Sequence, residues 1–170
     1  MKCTQRIVDH GYAAILTELK KADNLYVKVG FPLEGNPGYP SKHTIGPLTK
    51  EEASTMDEIT IIASTHEFGS EKRNIPERSF IRSTFDAEYE NLQAFKEREY
   101  LRILQGKQTA NTAIGRVGEW LTNKTKAFVR NRIPPPLKKA TIKRKGSSVP
   151  LIDTAQMINS IQWSITNTRS

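Results

Sequence analysis

Leu25-Tyr26-Val27-Lys28-Val29-Gly30-Phe31 places apolar side chains at every second position, with Tyr26, Lys28 and Gly30 between them. That is the period-two pattern of a half-buried strand. Ile161-Gln162-Trp163-Ser164-Ile165 repeats the alternation close to the C-terminus. Almost everything between them reads as helix or loop. Two strands so far apart, with four to five helices, predict an α+β fold with a small antiparallel or mixed sheet. Pairing the strands near 25–31 and 161–166 in one sheet is the simplest way to bury both.

Helical spacing outlines the remaining elements. Thr4 can cap a first helix to about Asp23, with Ile7, Val8, Tyr12, Ile15, Leu16 and Leu19 on one face. Residues 32–48 carry Pro32, Pro37, Pro40 and Pro47 among Gly35, Gly38 and Gly46, the composition of a long loop. Thr49 with Glu52 and Thr55 with Glu58 both have capping-box spacing, so a helix begins near one of them and stops at Gly69. Ile59-Thr60-Ile61-Ile62 inside it fits helix or strand equally by period. A long helix is expected over about Ser79 to Gln105, with Ile81, Phe85, Leu92 and Phe95 on one stripe. Another spans about Gln108 to Asn131, with Ala110, Ile114, Val117, Leu121 and Phe128 inward. Gly115 and Gly118 lie within that last pattern, where close helix packing explains them better than a nucleotide loop. Asp153 can cap a final short helix through Ile158.

Charge divides the chain. Lys124, Lys126, Arg130, Arg132, Lys138, Lys139, Lys143, Arg144 and Lys145 fall in one stretch without a carboxylate, whereas the whole chain is only +8. The rest is therefore close to neutral, and this stretch is expected to form one positive surface that either faces a polyanion or an acidic partner or stays solvated. Pro134-Pro135-Pro136 imposes a stiff connector before its second half. Residues 134–149 read as a basic, Pro-led extension or short helix within a single domain formed by 1–133 and 150–170. No aromatic interrupts Arg130 to Val149, so bases find no stacking platform there, and any nucleic-acid contact would go to phosphates without sequence preference.

Motifs of catalysis are missing. His66-Glu67 has Ser70 where a helical zinc site needs its second histidine, and His10 and His43 lack ligand neighbours at useful spacing. The glycines of 35–46 are interleaved with prolines, which remove the backbone donors a phosphate loop uses. The carboxylates of 86–99 are spaced as a solvated helix face partly paired with Lys96, Arg98 and Arg102. Cys3 is the single cysteine, which excludes an internal disulfide and a thiolate cluster. Apolar content of 36% predicts a modest core, with some of the stability expected from neighbouring subunits. The expectation is no enzyme, no cofactor, no metal and no membrane span. The N-terminus lacks the apolar segment of a secretory signal.

Three stretches resemble one family. Ile62-Ala63-Ser64-Thr65-His66-Glu67-Phe68-Gly69-Ser70 is similar to a helix ending in an Asn/His-Glu-Phe-Gly turn. Ile75-Pro76-Glu77-Arg78-Ser79-Phe80-Ile81-Arg82 is similar to Ile-Pro-x-Arg-Pro-Phe-Leu-Arg. Leu137 to Gly146, followed by Pro150-Leu151-Ile152-Asp153-Thr154-Ala155-Gln156-Met157 and Asn159-Ser160-Ile161, resembles a basic helix, a Pro-Leu-Ile-Asp-Thr-Gly turn and a strand start. Together, in this order, they resemble the tail-completion or neck proteins of long-tailed bacteriophages, also called virion morphogenesis proteins. Ser79 stands where the pattern has a second proline, and Ala155 where it has glycine.

The resemblance implies a virion protein made in the host cytoplasm. It would form a homo-oligomeric ring at the head–tail junction, touching connector and tail proteins, with double-stranded DNA passing through. Within that picture Pro76, Arg78, Phe80 and Arg82 are expected at a subunit contact; alternatively, Phe80 and Ile81 start the core of the long helix. Lys138, Lys139, Lys143, Arg144 and Lys145 face either DNA or an acidic subunit surface such as Asp86 to Glu99. The competing function is a sequence-independent nucleic-acid-binding protein acting through its basic arm.

Overall fold

The computed structural model describes residues 11–31, 50–131, 135–136, 139, 142–143 and 156–167, with side chains of the second helix from Ile59 onward. Helix α1 (Tyr12–Asp23) leads into β1 (Leu25–Gly30). Then come α2 (Lys50–Phe68), α3 (Ile81–Ala87), α4 (Tyr89–Leu104), α5 (Ala110–Arg130) and the single turn α6 (Gln156–Asn159), before β2 (Gln162–Asn167). β1 and β2 pair antiparallel, with Val27 opposite Ile165 and Val29 opposite Trp163. The fold is a small α+β domain whose two strands come from opposite ends of the described chain.

The central element is α5, which packs on both strands and on α4, α3 and α1. Its glycines make this possible. A Cβ on Gly118 would sit 2.5 Å from Val27 Cγ2 and 2.9 Å from Trp163 Cδ2, and one on Gly115 would sit 3.1 Å from Trp163 Cη2. The helix therefore lies closer to the sheet than any side chain would permit. Because it is covered on several sides, Ala113, Thr122, Thr125 and Val129 are buried beyond the single apolar face its spacing predicts. Two apolar clusters form around it. Ile59, Ala63, Phe80, Val129, Met157, Ile158 and Ile161 make one; Ala22, Ile103, Ala110 and Ala113, with Leu19 and Leu25, make the other.

Two local expectations differ from the structure, and one left open between helix and strand is decided. The stretch from Ser79 to Gln105 is two helices, broken at Glu88 (φ −105°, ψ 9°). Thr84 returns its hydroxyl to Phe80 O (2.5 Å), a bond that bends helices, and the Glu88 carboxylate is drawn to Lys124 Nζ on α5 at 3.0 Å. The bend lets both halves follow α5. In α1, Tyr12 is 71% exposed and Leu16 is also exposed, while Ala22 is the buried residue. Position 59–62 is helical, inside α2, with Ile59 and Ala63 inward and Ile61 and Ile62 outward. The first helix before Gly11, the 32–48 loop, most of the basic extension and the Asp153 cap lie outside the described residues. No described helix is long and apolar enough to cross a membrane.

Candidate assembly site around Glu67

Glu67 occupies the last turn of α2, where the helix dipole disfavours a carboxylate. It is nevertheless 5% exposed. A buried charge survives only with full hydrogen bonding, and the segment 79–82 supplies it. Oε2 accepts from the backbone N–H of Phe80 (2.8 Å) and Ile81 (3.0 Å). Oε1 accepts from Ser79 Oγ (2.9 Å), the Arg82 N–H (3.1 Å) and Arg82 Nε (3.1 Å). The three backbone N–H groups, of Phe80, Ile81 and Arg82, are donors that the start of α3 leaves without intrahelical partners, so Glu67 caps α3 from another helix. Burial raises the carboxyl pKa, but the bonds from Ile81, Arg82, Ser79 and Phe80 outweigh it and hold Glu67 below its ordinary value. Ser79, the departure from the resembled proline, contributes one of them.

The chain reaches this arrangement through a tight reversal. Gly69 stands at φ +73°, and a Cβ there would lie 2.9 Å from Glu77 N, so both conformation and space require glycine. Ser70 and Ile75 then exchange backbone bonds of 2.8 and 2.9 Å. Arg78 N donates to His66 O (2.8 Å), which brings the returning segment against the end of α2. Arg82 closes the outside: Nη2 donates to Glu67 O (2.9 Å) and Glu77 Oε1 (2.8 Å), and its guanidinium lies 4.8 Å from the centre of the Phe68 ring.

The residues expected at a subunit contact separate here. Phe80 is fully buried, its ring edge-on to Phe31 at 6.2 Å, so it belongs to the core and offers a neighbour no surface. Arg78 is 5% exposed and donates Nε to Pro135 O at 2.9 Å, tying the start of the basic extension to the body. Burial lowers its pKa. Within the chain both side chains are thus turned inward, Phe80 in line with the alternative that it starts the core of the helix after Ser79. Pro76 and Arg82 remain at the surface, beside Phe68 and Glu77.

The cations separate as well. Lys124 serves the fold, bonded to Glu88 and lying 5.2 Å from the Trp120 ring centre. Lys126 is half-buried, its pKa lowered by burial and by Arg130. Lys139 and Lys143 have helical backbone and are exposed, whereas Lys138, Arg144 and Lys145 lie outside the described residues. On the opposing acidic stretch, Glu88 is taken by Lys124. Glu99 is buried, accepting from Gln108 Nε2 at 2.8 Å and facing Arg116 Nη1 at 3.5 Å. Asp86, Glu90 and Glu97 stay exposed.

Sequence reasoning overlooked Glu67 as an organising residue. The available signal was a carboxylate in the last turn of a helix, where it needs a partner from elsewhere. Comparison with protein-family models, curated proteins and solved structures finds no match.

Proposed function

We propose that this chain is a non-enzymatic structural subunit of a tailed-phage neck or tail-completion ring, with duplex DNA passing through the assembly. The observation that supports the reading is the coupling around Glu67. The first two stretches of the resemblance, 62–70 and 75–82, meet in one hydrogen-bonded unit, and Glu67, Gly69, Arg78, Phe80 and Arg82 each have a geometric task in it. A motif whose members are mutually required is a stronger basis for a resemblance than separate short matches. Such a unit would give a ring subunit a rigid joint from which Pro76, Phe68 and Arg82 face outward. Exposed Lys139 and Lys143, beyond the anchored Pro135, suit a passage that attracts phosphate without reading bases.

The test is placement in the particle. Antibody raised against the chain should label the head–tail junction of virions by electron microscopy, and virions made without the chain should show heads and tails unjoined. Particles that join normally in its absence would overturn the reading.

A further inference from the structure

Arg78 and Arg82 lie two residues to either side of Phe80, whose ring is held in the core. Arg82 is the outer of the two. Its side chain is 52% exposed, and it donates Nε to Glu67 Oε1 (3.1 Å) and Nη2 to Glu67 O (2.9 Å). Arg78 is the inner one, and its Nε reaches Pro135 O at 2.9 Å, 57 residues further along the chain. Between them stand the amides of Phe80 and Ile81 on Glu67 Oε2, and the amide of Arg78 on His66 O. A continuous path of bonds thus joins an exposed guanidinium to the root of the basic extension.

We propose that this path opens and closes as one unit. Arg82 is its positioning residue: through Glu67 it sets whether Arg78 holds Pro135, and so where the basic extension leaves the body. A carboxylate as buried as Glu67 does not tolerate partial satisfaction. Of the donors that meet its side chain, Arg82 Nε is the charged one; the others are three amides and a hydroxyl. Withdrawing that cation leaves the negative charge on neutral donors alone, and turning Glu67 toward water becomes the cheaper arrangement. The amides of Phe80 and Ile81 then lose their acceptor together. The segment swings about Phe80, its anchored side chain, and carries Arg78 away from His66 and Pro135.

Pro135 passes this motion on because Pro136 follows it. With φ locked and no N–H to fasten elsewhere, the path of the chain beyond depends on where the Pro135 carbonyl is held. Lys139 and Lys143, helical and exposed, stand within eight residues of that point. Glu77 lies outside the unit. It accepts from Arg82 Nη2 at 2.8 Å, but its side chain is 55% exposed and water replaces the bond at little cost. The coupling is reciprocal, so loosening Arg78 weakens the hold of Arg82 by the same factor. The inference holds whether or not the neck reading does.

Residue-resolved amide hydrogen exchange on the full chain tests it. Arg82→Ala, a surface change, should speed exchange at residues 78 and 81 and at Lys139 and Lys143 by about tenfold, and leave β1 and β2 unchanged. In a chain already carrying Arg78→Ala, the same substitution should add nothing at Lys139 and Lys143, because the link to Pro135 is gone. Glu77→Gln should leave all of these amides as they are. A rise confined to residue 81 would overturn the proposal, since Arg82 would then act only on its own turn. A rise shared by β1 and β2 would also overturn it, by making the effect a loosening of the whole fold. So would a further rise at Lys139 and Lys143 in the Arg78→Ala chain, or a rise in Glu77→Gln matching that of Arg82→Ala.

Discussion

The Glu67 clamp and the basic stretch from Lys124 to Lys145 are both rich in charge, and they use it in opposite ways. Around Glu67 one carboxylate is withdrawn from water and met by five donors from residues 79–82. In the basic stretch, Lys124 is paired within the fold while Lys139 and Lys143 stand exposed. Charge at a buried, multiply bonded position specifies geometry; charge at an exposed position specifies only a field. The boundary between the regimes falls at Pro135, whose carbonyl is held by Arg78.

Breaking the clamp should have the largest effect. Glu67→Ala leaves several α3 donors without partners and should cost about 3 kcal/mol, read as a lowered denaturant midpoint. A midpoint within error of the parent would remove the clamp from the account. Arg78→Ala comes next, at about 2 kcal/mol, since it opens a buried site and releases Pro135. It should also raise proteolytic cleavage near 135, and unchanged cleavage would argue against the fastening role.

Acid sharpens the contrast. Because the folded-state pKa of Glu67 is depressed, its contribution is complete above the ordinary value near 4.5 and is lost as pH falls through the lower folded value. Stability of the parent should therefore fall in that acidic window, and Glu67→Gln should flatten the fall. Glu18 and Glu88, also held low by their hydrogen bonds, leave a residual slope. An identical profile in the variant would place the acid sensitivity elsewhere. Lys124→Ala should cost only about 0.5 kcal/mol, as a partly exposed pair does. Smallest in stability is the double change Lys139→Gln and Lys143→Gln, expected within about 0.5 kcal/mol of the parent. Its effect should instead be weaker duplex DNA binding with a shallower salt dependence, measured by titration at several ionic strengths. A stability loss with unchanged DNA affinity would move these lysines to the clamp's side of the comparison.

How much could be read in advance follows the range of the interactions. The alternation of Leu25, Val27 and Val29 against Ile161, Trp163 and Ile165 announced both strands, because a strand's face is written at every second residue. Gly69 as the end of α2 and the close packing of Gly115 and Gly118 were legible for the same reason: backbone freedom and missing volume are properties of the residue itself.

What tertiary structure decided lies wherever two distant segments compete for one group. Ile59 to Ile62 became helical because α2 buries Ile59 and Ala63 against Phe80 and Val129. The helix after Ser79 broke at Glu88 because a lysine of α5 holds that carboxylate. Tyr12 stayed outside, while Glu18, on the same helix, was drawn to cap α5 through Ala110 N at 2.8 Å. Phe80 turned inward because Glu67 captured the amides beside it. By itself the sequence determined periodicity, breakpoints and the place of the charge. Which charges fold the chain and which remain for a partner depended on hydrogen bonds between residues far apart along it, and no local window contains both ends of such a bond.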